Sequence, residues 1–223
     1  MNLLYNLNAL SAGLFLICTF GIVSTRQIRA VLKFFIFQSI FLSVSAFIIG
    51  YYTDSFHLIF TGIINFSTKV VILPILIRVL IPEELYTKRE ITHTLNIPTS
   101  LIISIVLTVF AYFVTFKVIK FFNNDIFIGI NTPIGFTGML IGAFTLIVRR
   151  EALAQLIGLL SMENSVFFLG ISIAKELNLF TEIAASFDLI VLTFVIILLT
   201  GKIHEKVGST SVKELTSLKE EEN

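Results

Sequence analysis

The chain has 223 residues, a formal net charge of +1 and a mean hydropathy of +0.94. Only 14% of its residues are charged, whereas soluble globular domains carry about 25%. This composition excludes a soluble globular enzyme of this size and predicts an integral membrane protein.

Seven apolar stretches follow one another, each close to the length of about 20 residues that a membrane-crossing helix needs. They cover residues 3–24, 30–51, 57–81, 97–118, 127–148, 152–174 and 183–203. The predicted fold is therefore all-α, a bundle of about seven transmembrane helices with a short cytoplasmic tail. The first stretch has no Lys or Arg before Arg26, so we interpret it as a retained helix rather than a signal peptide.

The sequence predicts four regions. Residues 1–96 hold helices 1–3 and a cytoplasmic loop, 97–126 hold helix 4 and an outer loop, 127–204 hold three further helices, and 205–223 form the tail. Gly138 and Gly142 have the four-residue spacing that favours close helix packing. Cys18, the single cysteine, is expected to pack as a small apolar residue, and the three histidines have no metal-ligand spacing.

The basic residues predict the orientation in the membrane. Twelve Lys and Arg residues flank one set of connections and the tail, and three lie on the other side. The richer side is expected to be cytoplasmic, which places the N-terminus outside and the C-terminus inside. The twelve are Arg26, Arg29, Lys33, Arg78, Lys88, Arg89, Arg149, Arg150, Lys202, Lys206, Lys213 and Lys219; the three are Lys117, Lys120 and Lys175.

Three ionisable residues fall inside the predicted helices, where a charge costs about 2.5–3.5 kcal/mol on insertion scales. Glu163 follows Arg149 by 14 residues and Asp188 precedes Lys202 by 14, so each carboxyl is expected about 21 Å from the inner boundary. Lys69 precedes Arg78 by nine residues. Acids and lysines joined by water form proton relays in pumps.

Other polar residues support the hypothesis that Glu163, Asp188 and Lys69 form a proton relay. Ser161 and Asn164 are polar neighbours of Glu163, and Gln38–Ser39 lies at a position similar to Glu163–Asn164 if helices 1–3 and 5–7 form a parallel repeat. Pro74 removes the amide that would bond the Val70 carbonyl, which predicts a kink.

Each residue also has a purely structural interpretation. Glu163 could hold a helix contact through hydrogen bonds. Asp188 could lie nearer the outer interface, and the Lys69 side chain could extend to the cytoplasmic surface.

The segment "LIVRREALAQLIGLLSMENSVFFLGISIA" resembles the K subunit of respiratory complex I. That family has a basic pair and then a helix with a buried glutamate, for which Glu163 stands here about one turn later. Asp188, Lys202 and the Ser211–Glu214 stretch look like the family's second acid and tail. This resemblance covers roughly residues 127–216.

The full chain resembles component E of hydrogenase-4, a membrane subunit of formate hydrogenlyase-type group 4 hydrogenases. The stretch "FSTKVVILPILIRVL", which holds Lys69, and the step "SMEN" carry that likeness. It implies a noncatalytic subunit of an oxidoreductase complex in a prokaryotic plasma membrane, without a cofactor of its own. The nickel-iron centre and the iron–sulfur clusters are expected in partner subunits.

The implied partners are antiporter-like and complex I H-like membrane subunits, peripheral hydrogenase subunits and the lipid bilayer, with no nucleic acid. The resemblance implies a role in proton translocation through Glu163, Asp188 and Lys69. Two alternatives stay open, which are an independent secondary transporter or cation/proton antiporter subunit, and a purely structural membrane linker.

Overall fold

The computed structural model describes residues 2–80, 95–121 and 126–173, and this part of the chain is helical. The elements are α1 (Asn2–Ser24), α2 (Ile28–Tyr52), α3 (Phe56–Asn65), a π-helical segment (Phe66–Ile72), α4 (Leu73–Leu80), α5 (Ile97–Phe121), α6 (Ile126–Val148) and α7 (Ala152–Ile173).

Within the described ranges, six helical segments are long and apolar enough to cross a membrane. They agree with the first six predicted stretches to within a few residues, so the described part of the chain is all-helical, as predicted, and its helices suit a multi-pass membrane protein. The predicted seventh helix at 183–203, the tail at 205–223 and Asp188 lie outside the described residues.

The third membrane segment is not one regular helix. It combines α3, the π-helical segment and α4, and the amide of Leu73 donates to the carbonyl of Thr68, five residues earlier. Pro74 follows directly and lacks the amide that α-helical bonding to the Val70 carbonyl would require. A π-helical turn and a proline are both recognised causes of helix distortion, and here they adjoin at the position that the sequence singled out.

Two helical hairpins form the centre of the bundle. The hairpin of α1 and α2 packs against the hairpin of α6 and α7, while α3 and the π-helical segment pack on α2. A methyl group added to Gly142 would lie 2.7 Å from the backbone of Met162, so the close packing predicted from the glycines of α6 is confirmed. The helix α5 lies at the edge of the bundle, and only 17% of its most apolar stretch is buried.

Arg149 ties the two hairpins together at one end. Its guanidinium donates to the carbonyls of Ile22, Val23 and Thr25 at 2.6, 3.1 and 2.7 Å, in and just after the last turn of α1. Burial lowers the pKa of this guanidinium to about 10, partly opposed by the charge of Glu151, so the group stays a cation near neutral pH and satisfies the helix's terminal carbonyls.

The connections at 25–27 and 149–151 therefore lie at the same end of the bundle, which we call the basic end because it carries Arg26, Arg149 and Arg150. The turn between α2 and α3, at residues 53–55, lies at the opposite end, which we call the far end.

The core near the basic end is apolar. Residues of α1, α2, α4 and α7 form one cluster that we call the apolar layer. Its buried members are Ile22, Ile28, Val31, Leu32, Phe35, Leu73, Ile77, Leu153, Ala154, Leu156, Ile157 and Leu160.

Candidate functional site

The described structure brings Lys69 and Glu163 together. Lys69 lies on the π-helical segment and Glu163 on α7, and Nζ of the lysine is 3.1 Å from Oε1 of the glutamate. The side chains are 2% and 18% exposed, so this ion pair lies inside the bundle. The lysine is directed at α7 and does not extend to the basic end, which disfavours the interpretation that its side chain reaches the cytoplasmic surface.

Asn164 completes the surroundings of the lysine. Its Oδ1 accepts a hydrogen bond from Nζ of Lys69 at 2.9 Å, and the ring of Phe167 lies 4.8 Å from the same nitrogen. The ammonium group thus meets a carboxylate, an amide oxygen and an aromatic face. Each of these groups favours a positive charge, which offsets part of the cost of removing the ammonium from water.

The hydrogen bonds continue from Asn164 into α2. The amide nitrogen of Asn164 donates to Oγ of Ser39 at 2.8 Å and to Oε1 of Gln38 at 3.3 Å. Gln38 in turn donates to Oγ of Ser161 and to Oγ1 of Thr19, both at 2.9 Å. The predicted supporting residues Gln38, Asn164 and Ser161 therefore belong to one network, which holds the Asn164 amide with its oxygen toward the lysine.

Asn65, which the sequence analysis did not single out, extends the polar contacts along α2. Its amide donates to the carbonyl of Ser39 at 3.2 Å and to Oγ of Ser43 at 2.9 Å. The signal that could have identified it is its spacing, because Asn65 stands four residues before Lys69 and therefore on the same helix face.

A second polar cluster joins the two hairpins nearer the far end. Asn8 donates to Oδ1 of Asn131 at 2.9 Å, Ser45 donates to Oδ1 of Asn8 at 2.7 Å, and the Asn131 amide contacts Oγ of Ser45 at 3.1 Å. All three residues are fully buried. Their hydrogen bonds satisfy one another, so the cluster is explained as a contact between α1, α2 and α6.

The positions of these contacts agree with the parallel repeat considered from the sequence. The Gln38–Ser39 pair of α2 contacts Asn164 of α7, and Asn8 of α1 contacts Asn131 of α6. The partners stand 123 to 126 residues apart in each case. Related helices that meet at equivalent positions are what an axis along the membrane normal would produce.

One predicted member of the site, Asp188, lies outside the described residues. The expected proximity of Glu163 and Asp188 therefore stays a prediction. Within the described part of the chain, Glu163 forms its ion pair with Lys69. No group of three or more His, Cys, Asp or Glu residues in that part could hold a metal ion.

The chain is similar to the uncharacterized protein Rv0085 of Mycobacterium tuberculosis, with 27% identity over 211 residues that cover 94% of both chains. No protein family matches, and no solved structure does. The similarity to the mycobacterial protein therefore extends over nearly the whole chain and is not confined to residues 127–216.

Proposed function

We propose that the chain is a membrane-arm subunit of a complex I-like group 4 hydrogenase, of the formate hydrogenlyase or hydrogenase-4 type. In this proposal it takes part in proton translocation through Lys69, Glu163 and Asp188, while partner subunits carry out the redox chemistry. The observation that supports a proton-handling role best is the ion pair of Lys69 and Glu163 inside the bundle. The assignment to a hydrogenase rests on the resemblance of its sequence motifs.

The energetics of the ion pair favour a functional role. Taking two charges out of water costs several kcal/mol for each ion, and a well-packed apolar pair of similar volume often gives equal or greater stability. A membrane bundle gains little from such a pair as a packing device. Ionisable residues inside membrane segments accordingly mark ion pathways and proton relays in most proteins that contain them.

The short distance between the two groups suits exchange of a proton within the pair. Transfer from Nζ of Lys69 to Oε1 of Glu163, over 3.1 Å, converts an ion pair into a neutral amine and a neutral acid without changing the net charge. A proton that reaches Glu163 from elsewhere removes the negative charge beside the lysine. The ammonium then loses its main electrostatic partner and releases its own proton more readily.

The amide network limits how far the lysine can move during such an exchange. Asn164 holds Nζ through its oxygen, while Ser39 and Gln38 hold the Asn164 amide. An amide has no titratable proton in this range, so Asn164 acts as a positioning residue. It keeps the amine close to the carboxyl in either protonation state.

Two other functions remain as alternatives to this proposal. An independent transporter or antiporter subunit would use the same buried pair but would be active without hydrogenase subunits. A structural linker would need the pair only for packing. Copurification and proton movement therefore separate the three.

The test uses the chain with an affinity tag in its native membrane. Mass spectrometry of the gently solubilised complex should find nickel-iron hydrogenase and antiporter-like subunits. In vesicles, Glu163→Gln should leave the complex assembled and hydrogen turnover measurable, while redox-linked proton movement falls. Lys33→Met, which removes an exposed charge on α2, is the control and should leave proton movement unchanged.

The outcomes discriminate clearly. Transport activity of the purified chain alone would favour the transporter. Full proton movement in assembled Glu163→Gln would reduce the pair to a packing device and contradict the proposal. Asp188→Asn should resemble Glu163→Gln, and the double variant should be scarcely worse than the worse single variant, because steps in one path are not additive.

A further inference from the structure

The buried face of the third membrane segment changes character at Lys69. Thr61, Asn65, Lys69, Leu73 and Ile77 stand four residues apart, and all five are buried. Toward the far end this face carries a hydroxyl and an amide, and toward the basic end it carries two aliphatic side chains. The lysine stands at the boundary.

The helices packed on this face change at a similar level. On α2, Phe35 belongs to the apolar layer, whereas Ser39 and Ser43, one and two turns farther on, are buried hydroxyls. On α7, Ile157 belongs to the same layer, and Ser161 lies one turn beyond it. On these three helices, the aliphatic side chains of the basic side thus give way to polar ones near the level of the ion pair, while Leu42, Phe168 and Ile171 form apolar contacts nearer the far end.

A small cavity lies on the polar side of Lys69. Its polar lining is Ser43, Thr61, Asn65 and Lys69, and Phe167 and Ile171 of α7 contribute apolar walls. Thr61 is eight residues from Lys69, which is about 12 Å along the helix axis toward the far end. A water molecule in protein needs two to four polar partners, and this lining offers a hydroxyl, an amide and an amine within one cavity.

We propose that this cavity takes water and connects Lys69 to the far end of the bundle only, while the apolar layer closes the route to the basic end. The role of this water route in proton transfer rests on the proposed function, whereas its position rests on the cavity and its lining alone. Water in the cavity would accept a proton from the Nζ ammonium, which leaves a neutral amine and a hydronium ion that moves toward the far end. The reverse step reloads the amine.

The apolar layer gives the route its direction. Leu73 and Ile77 are 1% and 0% exposed, and a water beside them would find aliphatic side chains of α1, α2 and α7 instead of hydrogen-bond partners. Apolar cavities of this kind stay dry. Protons that cross the layer would need a second route, so the cavity constitutes one half of a pathway.

Silver-ion accessibility of introduced cysteines tests the proposal in the full chain within native membranes. The background carries Cys18→Ala, and the reacting species is the thiolate, which requires water. Thr61→Cys and Ser43→Cys keep the size of the original side chain. Leu73→Cys and Ile77→Cys are the matched controls on the basic side. Protection from a later maleimide label measures the reaction.

Cysteines at two exposed or partly exposed positions identify the compartment at each end of the bundle. The assay therefore needs no assumption about which end is cytoplasmic. Ser55→Cys reports the far end and Gln27→Cys the basic end. We expect Thr61→Cys and Ser43→Cys to react from the compartment that reaches Ser55→Cys, at least about tenfold faster than Leu73→Cys and Ile77→Cys, because only hydrated thiols ionise readily.

The result that would overturn the proposal is equally defined. If Thr61→Cys and Ser43→Cys react as slowly as the two controls, or react from the compartment of Gln27→Cys, the cavity is not a far-end route. The assay does not depend on hydrogen turnover or proton movement. Fast labelling together with intact proton movement in Glu163→Gln would therefore refute the proposed function and leave the water route standing.

Discussion

Replacement of Lys69 by methionine isolates the carboxylate of the buried pair. In Lys69→Met, Glu163 loses the cation 3.1 Å from its Oε1, and neither of its carboxylate oxygens has a hydrogen-bond partner among the described residues. An uncompensated buried charge costs several kcal/mol. The variant can lower this cost by taking up a proton on the carboxyl, so the loss of stability should depend on pH.

The size of the effect follows from two numbers. The attraction across 3.1 Å is about 5 kcal/mol at an effective dielectric constant of about 20. Protonation of a carboxyl with the ordinary glutamate pKa of about 4.3 costs about 3.7 kcal/mol at pH 7 and about 1 kcal/mol at pH 5. Because protonation is the cheaper response, the loss in Lys69→Met should approach 3–4 kcal/mol at pH 7 and shrink toward 1 kcal/mol at pH 5.

Thermal unfolding of the full chain in lipid nanodiscs measures this loss. We expect the Tm of Lys69→Met to fall by roughly 10 °C at pH 7 and by a few degrees at pH 5. Lys33→Met makes the same chemical change at an exposed site of α2 and should change Tm little at either pH. The double variant with Glu163→Gln should regain about 2 kcal/mol of the loss, because it contains no unpaired buried charge.

Two results would refute this reasoning. A loss in Lys69→Met that is the same at pH 7 and pH 5 would show that the carboxylate does not depend on the lysine. Strict additivity of Lys69→Met and Glu163→Gln would show that the two groups do not interact, whatever their distance.

Three further predictions concern the bundle itself. Gly142→Ala places a methyl 2.7 Å from α7 backbone and should cost about 1–3 kcal/mol of stability, measured by Tm; Gly129→Ala, with open space around it, should be neutral. Arg149→Met removes three hydrogen bonds to carbonyls near the end of α1 and should cost about 3 kcal/mol or more, while Arg26→Met, an exposed control, should not. A reporter fused to the C-terminus should be cytoplasmic and one at the N-terminus external, and the opposite labelling would contradict the seven-helix topology.

The first six helices could be predicted because hydropathy alone decides them. A bilayer requires every backbone polar group to be bonded internally, so a long apolar run has few structures open to it. The π-helical segment at Phe66–Ile72 was not predictable in this way. Pro74 indicated a distortion, but whether the chain kinks, widens or ends there depends on the helices packed around it.

Lys69 and Glu163 could both be identified because a charge in a membrane segment is costly, yet their contact could not. Counting residues from Arg78 and Arg149 placed the lysine about 13.5 Å and the glutamate about 21 Å from the basic end. That count ignores the length of the lysine side chain, and it assumes that both arginines lie in one plane. In the structure, Nζ at the end of the lysine side chain contacts both Glu163 and Asn164 of α7.

The network around the pair was only half visible in the sequence. Asn164 was identified as a polar neighbour of Glu163, and Gln38 by its similar position in a possible repeat, whereas Thr61 and Ser43 are common helix residues whose hydroxyls bond to their own helix backbone. Thr61 and Ser43 become candidates for the site only because they line the same cavity as Lys69. A face that is polar on one side of a lysine and aliphatic on the other becomes informative only when the neighbouring helices are known to match it.

Stability and proton movement should separate in one final variant. Replacing both charges, Lys69→Met with Glu163→Leu, removes the desolvation cost and the attraction together, so the bundle should unfold within about 2 kcal/mol of the wild type or be more stable. If the pair served packing alone, this variant would work as well as the wild type in every assay. If the proposed function is correct, the double variant assembles into the complex and keeps its Tm but loses redox-linked proton movement. Retained proton movement in the assembled, stable variant would contradict that function, because neither remaining side chain can hold or release a proton.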